Sequence, residues 1–280
     1  MHVPSAFRRE TDVALLATFA ERDEAGPILL DGRRAAYLVT DGVADLYAVR
    51  RTGFSAPLAA GTFVARIEPG TVLPSSTVLG AWQWVLAGLP GTRIRPLRSA
   101  RLRELGFGGP ADVTPDDADS IVPPPRAVPV LVAALARAVD RGLLAVAGAV
   151  RGGVPPVGAV PLGNERLLSL AAGSAVVGDG AVSWLRVAGG HIRRNGEAGA
   201  LFGGPEPALL AGRDWIVADG PCTVEAAPTA ELLAAGQLPA AIDQHTVLTL
   251  RTLERLLAED EPSGPSSAWP PQNCPRCAGQ

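Results

Sequence analysis

Arg213 is the side chain in this sequence best suited to holding a ligand. A guanidinium fork matches a phosphate with two parallel hydrogen bonds. Just upstream, Gly203-Gly204 permits a turn whose backbone N–H groups can face an anion, and Glu206 can accept from a sugar hydroxyl. Gly203, Gly204, Glu206 and Arg213 therefore form the candidate ligand-binding set. Cys274 and Cys277 form a CxxC pair. A closed zinc site needs four ligands, and no second pair stands elsewhere. A redox CxxC opens a helix in a βαβ setting, which the pattern does not offer. Cys274 and Cys277 are thus weak metal candidates, and no cofactor is expected.

What is missing narrows the chemistry further. All 25 basic residues are Arg, so a P-loop and lysine Schiff-base chemistry are excluded. His2, His191 and His245 lie far apart, with no HxH or HExxH spacing, and no catalytic role is expected for them. Neither GxSxG nor GxGxxG occurs. The expectation is a protein that is not an enzyme. A net charge of −3 argues against a nucleic-acid surface. Three Cys imply no disulfide framework, and no signal peptide follows Met1, so a cytoplasmic location is expected. The longest charge-free run, 69–92, is broken by Pro and Gly, and no transmembrane span is expected.

The elements that would carry these residues are mostly short. Residues 11–22 read as an amphipathic helix capped by Thr11 or Asp12. Five strand-like runs follow: 27–30, 36–40, 43–49, 62–67 and 81–87, the first four bounded by Asp-Gly or Pro-Gly turn signals. Residues 99–105 suggest a helical turn. Residues 108–125 combine Gly-Gly-Pro, the acidic cluster Asp116, Asp117 and Asp119, and a proline triplet, which read as a linker. Residues 127–147 form an Ala/Leu/Val helix with Arg137 and Arg141 on one face. Strand-like runs resume at 167–170, 175–177, 183–187, 191–193, 215–218 and 222–226. Helices close the pattern at 229–235, capped by Thr229, and at 239–259. The Pro- and Ser-rich residues 261–280 read as a disordered tail.

The halves look duplicated. Tyr37-Leu38 with Gly42 matches Trp184-Leu185 with Gly189 at an offset of 147, and 84–102 matches 215–233 at an offset of 131 with five identities. A shorter hairpin in the second half would absorb the difference. The predicted fold class is mainly β with flanking helices: two tandem β-rolls of jelly-roll type. Residues 1–110 would hold the first roll and 111–155 a linker and helix. Residues 156–260 would hold the second roll, and 261–280 the tail.

The segments 37–49 and 63–70 resemble the strand–Gly–strand and Pro-Gly-turn pattern of cyclic-nucleotide-binding-like β-rolls. The order Phe202-Gly203-Gly204-Pro205-Glu206, then Arg213 and a strand, is similar to the phosphate-binding cassette of that fold, with Gly204 at the place of its Glu. More narrowly, 27–31, 37–49, 89–95 with 100–105, and 182–187 resemble the cytosolic N-terminal region of the ATPase/permease subunits of NHLM-type bacteriocin export ABC transporters. That resemblance implies a regulatory domain working beside a peptide exporter, and a leader peptide or transporter subunit as partner. The ATPase domain of those exporters has no match here, so export activity is not implied. The alternative is a sensor of a cyclic nucleotide or another anion.

Overall fold

A computed structural model describes residues 5–32, 34–50, 61–76, 81–107, 128–149, 154–194, 201–202 and 207–259. The predicted linker at 108–125, the predicted tail at 261–280 and residues 51–60 and 203–206 lie outside the described residues.

The first half opens with helix α1 (Ser5–Ala17). Strands β1 (Ile28–Leu29), β2 (Ala36–Asp41), β3 (Ala44–Arg50), β4 (Gly61–Ile67), β5 (Val72–Pro74), β6 (Trp82–Gly88) and β7 (Arg93–Pro96) follow. Short helix α2 (Ser99–Glu104) and long helix α3 (Val128–Ala149) complete it. The second half contains β8 (Val160–Pro161), β9 (Leu167–Leu170), β10 (Ala175–Val177), β11 (Val182–Gly189), β12 (Ile192–Arg194) and β13 (Leu201–Phe202). Then come β14 (Ala208–Ala211), β15 (Trp215–Ala218), β16 (Cys222–Ala227), α4 (Thr229–Ala234) and α5 (Leu238–Glu259). The chain is mainly β, as expected.

Each half folds two sheets face to face. The first roll has the orders β1-β6-β3-β4 and β5-β2-β7; the second has β13-β12-β15-β10-β8 and β14-β11-β16-β9. The connectivity repeats strand for strand: β2 pairs with β5 and β7 as β11 pairs with β14 and β16, and β3 joins β4 and β6 as β12 joins β13 and β15. Both rolls are therefore jelly rolls of one plan.

The ladders correct the alignment read from the sequence. Val39 pairs with Ile94 and Val187 with Val224, so the copies correspond at offsets of 148 and 130. A bulge at Val39/Asp41 recurs at Val187/Gly189, and the left-handed glycine of the turn is Gly42 in one copy and Gly190 in the other. The identities at 147 and 131 are each one residue out of register. In a strand that slip exchanges the two faces. Tyr37 faces the interior of its roll, whereas Trp184 faces outward, in the position of Ala36. Trp84 likewise points inward, while Trp215 takes the position of Val85. The change in offset falls in two places: β4 and β5 correspond to β13 and β14 at 135, so both the β3–β4 and β5–β6 connections shorten in the second copy.

Three apolar clusters hold the chain. One fills the first roll and one the second. The third lies between them: outward residues of both rolls (Ala36, Leu38, Trp184, Leu209) meet on α3, with α1, α2, α4 and α5 around it. Helix α3 is apolar on nearly all sides because it is surrounded. Its Gly142 lets it lie against the first roll, since a Cβ there would stand 2.7 Å from the Val72 carbonyl oxygen. Helix α5 bridges the rolls: Leu250 and Leu253 enter the first roll's core, Leu248 packs on the second's, and Ile242 joins the central cluster.

Helix α1 begins six residues before the expected start and ends at Ala17. Asp12 is not its cap. It is buried at 2% exposure and faces α3, where Arg137 donates to it from Nε at 3.1 Å and Nη2 at 2.6 Å. Arg141 donates from Nη1 at 3.4 Å, and its Nε donates to the Gly70 carbonyl at 2.8 Å. Tertiary pairing has taken a residue that reads locally as a capping signal. Thr229 is not a cap either: Pro228 holds that position, and the Thr229 hydroxyl is used elsewhere. The strands absent from the sequence reading, β5, β7, β8, β13 and β14, are two to four residues long. Strand β14 is buried at every position and so shows no alternation.

Candidate functional site

Of the expected ligand set, only Arg213 is among the described residues. Arg213 is exposed in the tight turn between β14 and β15. Gly203, Gly204 and Glu206 lie outside the described residues, in the segment between β13 and β14, so the whole of β14 separates them from Arg213 along the chain. Cys274 and Cys277 are also outside the described residues. Cys222 is buried in the second roll, where desolvation raises its thiol pKa. His191 is exposed.

His245 is buried, and it anchors a polar cluster the sequence reading missed. It sits on α5 beside β12. Arg194 donates from Nη1 to His245 Nδ1 at 3.3 Å and from Nη2 to Asp214 Oδ2 at 2.5 Å. Arg194 can only donate, so Nδ1 holds the lone pair, the proton is on Nε2, and Nε2 donates to Thr249 Oγ1 at 3.3 Å. Burial, then the adjacent Arg194 charge, lowers the His245 pKa well below its ordinary value. The imidazole is therefore neutral, and both its nitrogens have partners. By the register above, Arg194 and Asp214 hold the positions that Leu46 and Trp84 hold in the first roll.

On the other side of His245 lies a cavity of about 40 Å³. Leu46, Leu73 and Trp84 of the first roll and Leu143 of α3 form its apolar wall. His245, Thr246 and Thr249, all from α5, form its polar wall. Three polar side chains within two helical turns, at i, i+1 and i+4, were legible as one helix face; what they faced was not.

A second buried network joins the rolls. Trp184 Nε1 donates to Thr229 Oγ1 at 3.0 Å, and the Thr229 hydroxyl donates to Asp140 on α3. Desolvation raises Asp140 to about 6, against the opposing effects of Thr229 and Arg141. An acid whose folded pKa exceeds its unfolded value favours folding while protonated. That advantage is lost as pH rises from 3.8 through about 6. Above that window the ionised carboxylate costs about 3 kcal/mol. Asp140→Asn keeps an acceptor for Thr229 and removes the charge. Denaturant melts are expected to show it more stable than the parent by about 2–3 kcal/mol at pH 7.5, with the difference gone at pH 3.5.

No family model matches the chain and no curated protein does, so the exporter resemblance finds no support there. Among solved structures, "cAMP bound PfPKA-R (141-441)" aligns over 91% of this chain and 93% of its own, at 8% identity and a TM-score of 0.27. A triple mutant of the regulatory subunit of a cAMP-independent protein kinase A from Trypanosoma brucei, bound to cAMP in the A site, aligns over 92% of this chain and 98% of its own, at 11% identity and a TM-score of 0.27. YhaK from Escherichia coli aligns over 74% and 78%, at 14% identity and a TM-score of 0.18. These superpositions are loose; the jelly-roll assignment rests on the strand order itself. Among the described residues no helix is long and apolar enough to cross a membrane.

Proposed function

We propose that the chain is a non-catalytic binding and regulatory module built of two roll units, near 1–110 and 156–260, that recognises an extended apolar peptide. In the narrower form of this reading, the peptide is the leader of a bacteriocin-type export substrate or a segment of its transporter. The supporting observation is the outer margin of the second roll. Strands β8 and β9 end their two sheets, and residues 154–170 expose four large apolar side chains: Val154, Val157, Val160 at 61% and Leu167 at 64%. An unpaired strand edge with apolar side chains accepts an added strand, whose backbone gives affinity and whose alternate side chains give selectivity. The first roll is different. There the chain after α1 covers β7, through bridges at Ala20↔Leu97 and Glu24↔Ile94.

Calorimetric titration with a synthetic bacteriocin leader peptide tests the reading. Saturable binding is expected, weakened at least about tenfold by Leu167→Lys, which leaves the fold intact on an exposed position. Heat equal to the buffer blank, or equal binding by the variant, removes it.

The second reading is a sensor of a cyclic nucleotide. It is favoured by the exposed Arg213, which stands next to the Arg194–Asp214 pair. Cyclic AMP in the same titration discriminates the two.

A further inference from the structure

The two rolls follow one strand plan yet finish differently where they meet α5. In the second roll the inward positions are Arg194 and Asp214, which close on each other and on His245. In the first roll the corresponding positions are Leu46 and Trp84, and beside them the cavity remains. We propose that this cavity is a binding site for a small uncharged molecule with a short hydrocarbon body and one hydroxyl or carbonyl oxygen.

The wall chemistry sets that class. Among the described residues no acidic side chain and no Arg lines the cavity, and the imidazole there is neutral, so an ionic ligand would be buried without a counterion. The polar groups all come from α5, so the ligand presents its oxygen to one side and its hydrocarbon to Leu46, Leu73 and Trp84. At about 40 Å³ the space exceeds the roughly 10–15 Å³ that one water requires, and it suits a few heavy atoms but not a nucleotide. Thr249 accepts from His245 and keeps its own O–H to donate, while the Thr246 hydroxyl beside it can both donate to the ligand oxygen and accept from it. Filling the cavity presses on the face of α5 that also carries His245, and through Arg194 the event reaches the second roll. The site is independent of the β8–β9 edge and does not need that edge to bind a peptide.

Nuclear magnetic resonance of the full chain tests the proposal with two probes, 1-propanol and propylammonium. With 1-propanol, saturable shifts are expected at Leu46, Trp84 and Thr246, and a smaller saturable shift at His245. Propylammonium is expected to give none. Thr246→Val preserves shape and removes the hydroxyl; it should weaken 1-propanol about tenfold. Val146→Phe, placed to fill the cavity, should abolish saturation. Shifts that rise linearly without saturating, that are unchanged in Thr246→Val, or that appear equally with propylammonium would overturn the proposal. So would a cavity that holds only exchanging water at every 1-propanol concentration. Peptide binding left unchanged by Leu167→Lys, with 1-propanol saturation intact, would fault the edge reading alone.

Discussion

Gly106→Ala is expected to cost at least about 3 kcal/mol of stability, while Gly236→Ala costs only about 1 kcal/mol. The two glycines are equivalent: each follows its roll's short helix, and each backbone N–H closes a turn, onto Arg103 and Leu233 respectively. Both are left-handed, at φ 82° and 66°. The left-handed cost of a Cβ, about 1–2 kcal/mol, is thus common to both. Their surroundings differ. A Cβ on Gly106 would fall 2.0 Å from the Leu233 carbonyl oxygen and 3.1 Å from its carbon, whereas one on Gly236 meets nothing within 4 Å. The Leu233 carbonyl is backbone, held by Gly236 N–H at 3.0 Å, so it cannot yield without moving α4. Gly106→Ala should therefore separate α2 from α4 and open the central cluster. Thermal melts of the two variants measure the contrast. Equal losses would mean that the two rolls do not meet at this carbonyl.

Asp12→Ala should be the second large loss, about 3 kcal/mol. The carboxylate is almost fully buried, and it is the shared counterion of Arg137 and Arg141. Burial already lowers the Arg141 pKa, against the support that Asp12 gives it. Removing the carboxylate leaves two guanidinium groups facing each other across one helical turn without the counterion they shared, while the Gly70 carbonyl still accepts from Arg141. Arg137 is 38% exposed and can turn to water; Arg141, at 22%, has less freedom. Arg137→Ala should accordingly cost about 1 kcal/mol. Urea midpoints at pH 7 provide the comparison. A loss for Asp12→Ala no greater than that for Arg137→Ala would show that α1 is not held to α3 by this carboxylate.

Much of the framework was legible because its signals are local. Ala36–Asp41 and Ala44–Arg50 were legible as two strands about the Asp41-Gly42 turn, but they form no hairpin: β2 pairs with β5 and β7 in one sheet, and β3 with β4 and β6 in the other. Gly42 is required at that corner because a Cβ would stand 2.7 Å from Thr92 Cα. The long helices α3 and α5 follow from apolar periodicity. The duplication was visible, but its register was not. Trp, Ala, Pro and Leu recur often enough to align one residue out, and only hydrogen-bond pairing decides which face a side chain takes. The polar cluster was illegible for a related reason. Arg194 reads as the second of two surface arginines until the strand's pleat turns it inward, and His245 reads as one polar position on a helix until a strand 51 residues away in sequence meets it. Arg213 was singled out by residue type alone. Its exposure is settled by the turn that carries it, and its proposed companions fall outside the described residues.

Helix α5 also has a consequence for synthesis. The first roll's strands are complete by residue 96, but Leu250 and Leu253, which seal its core, emerge from the ribosome some 150 residues later. At about 5–20 residues per second the nascent first roll waits on the order of 10–30 s with its apolar mouth open. A chaperone that shields such a mouth during translation would have its longest opportunity there.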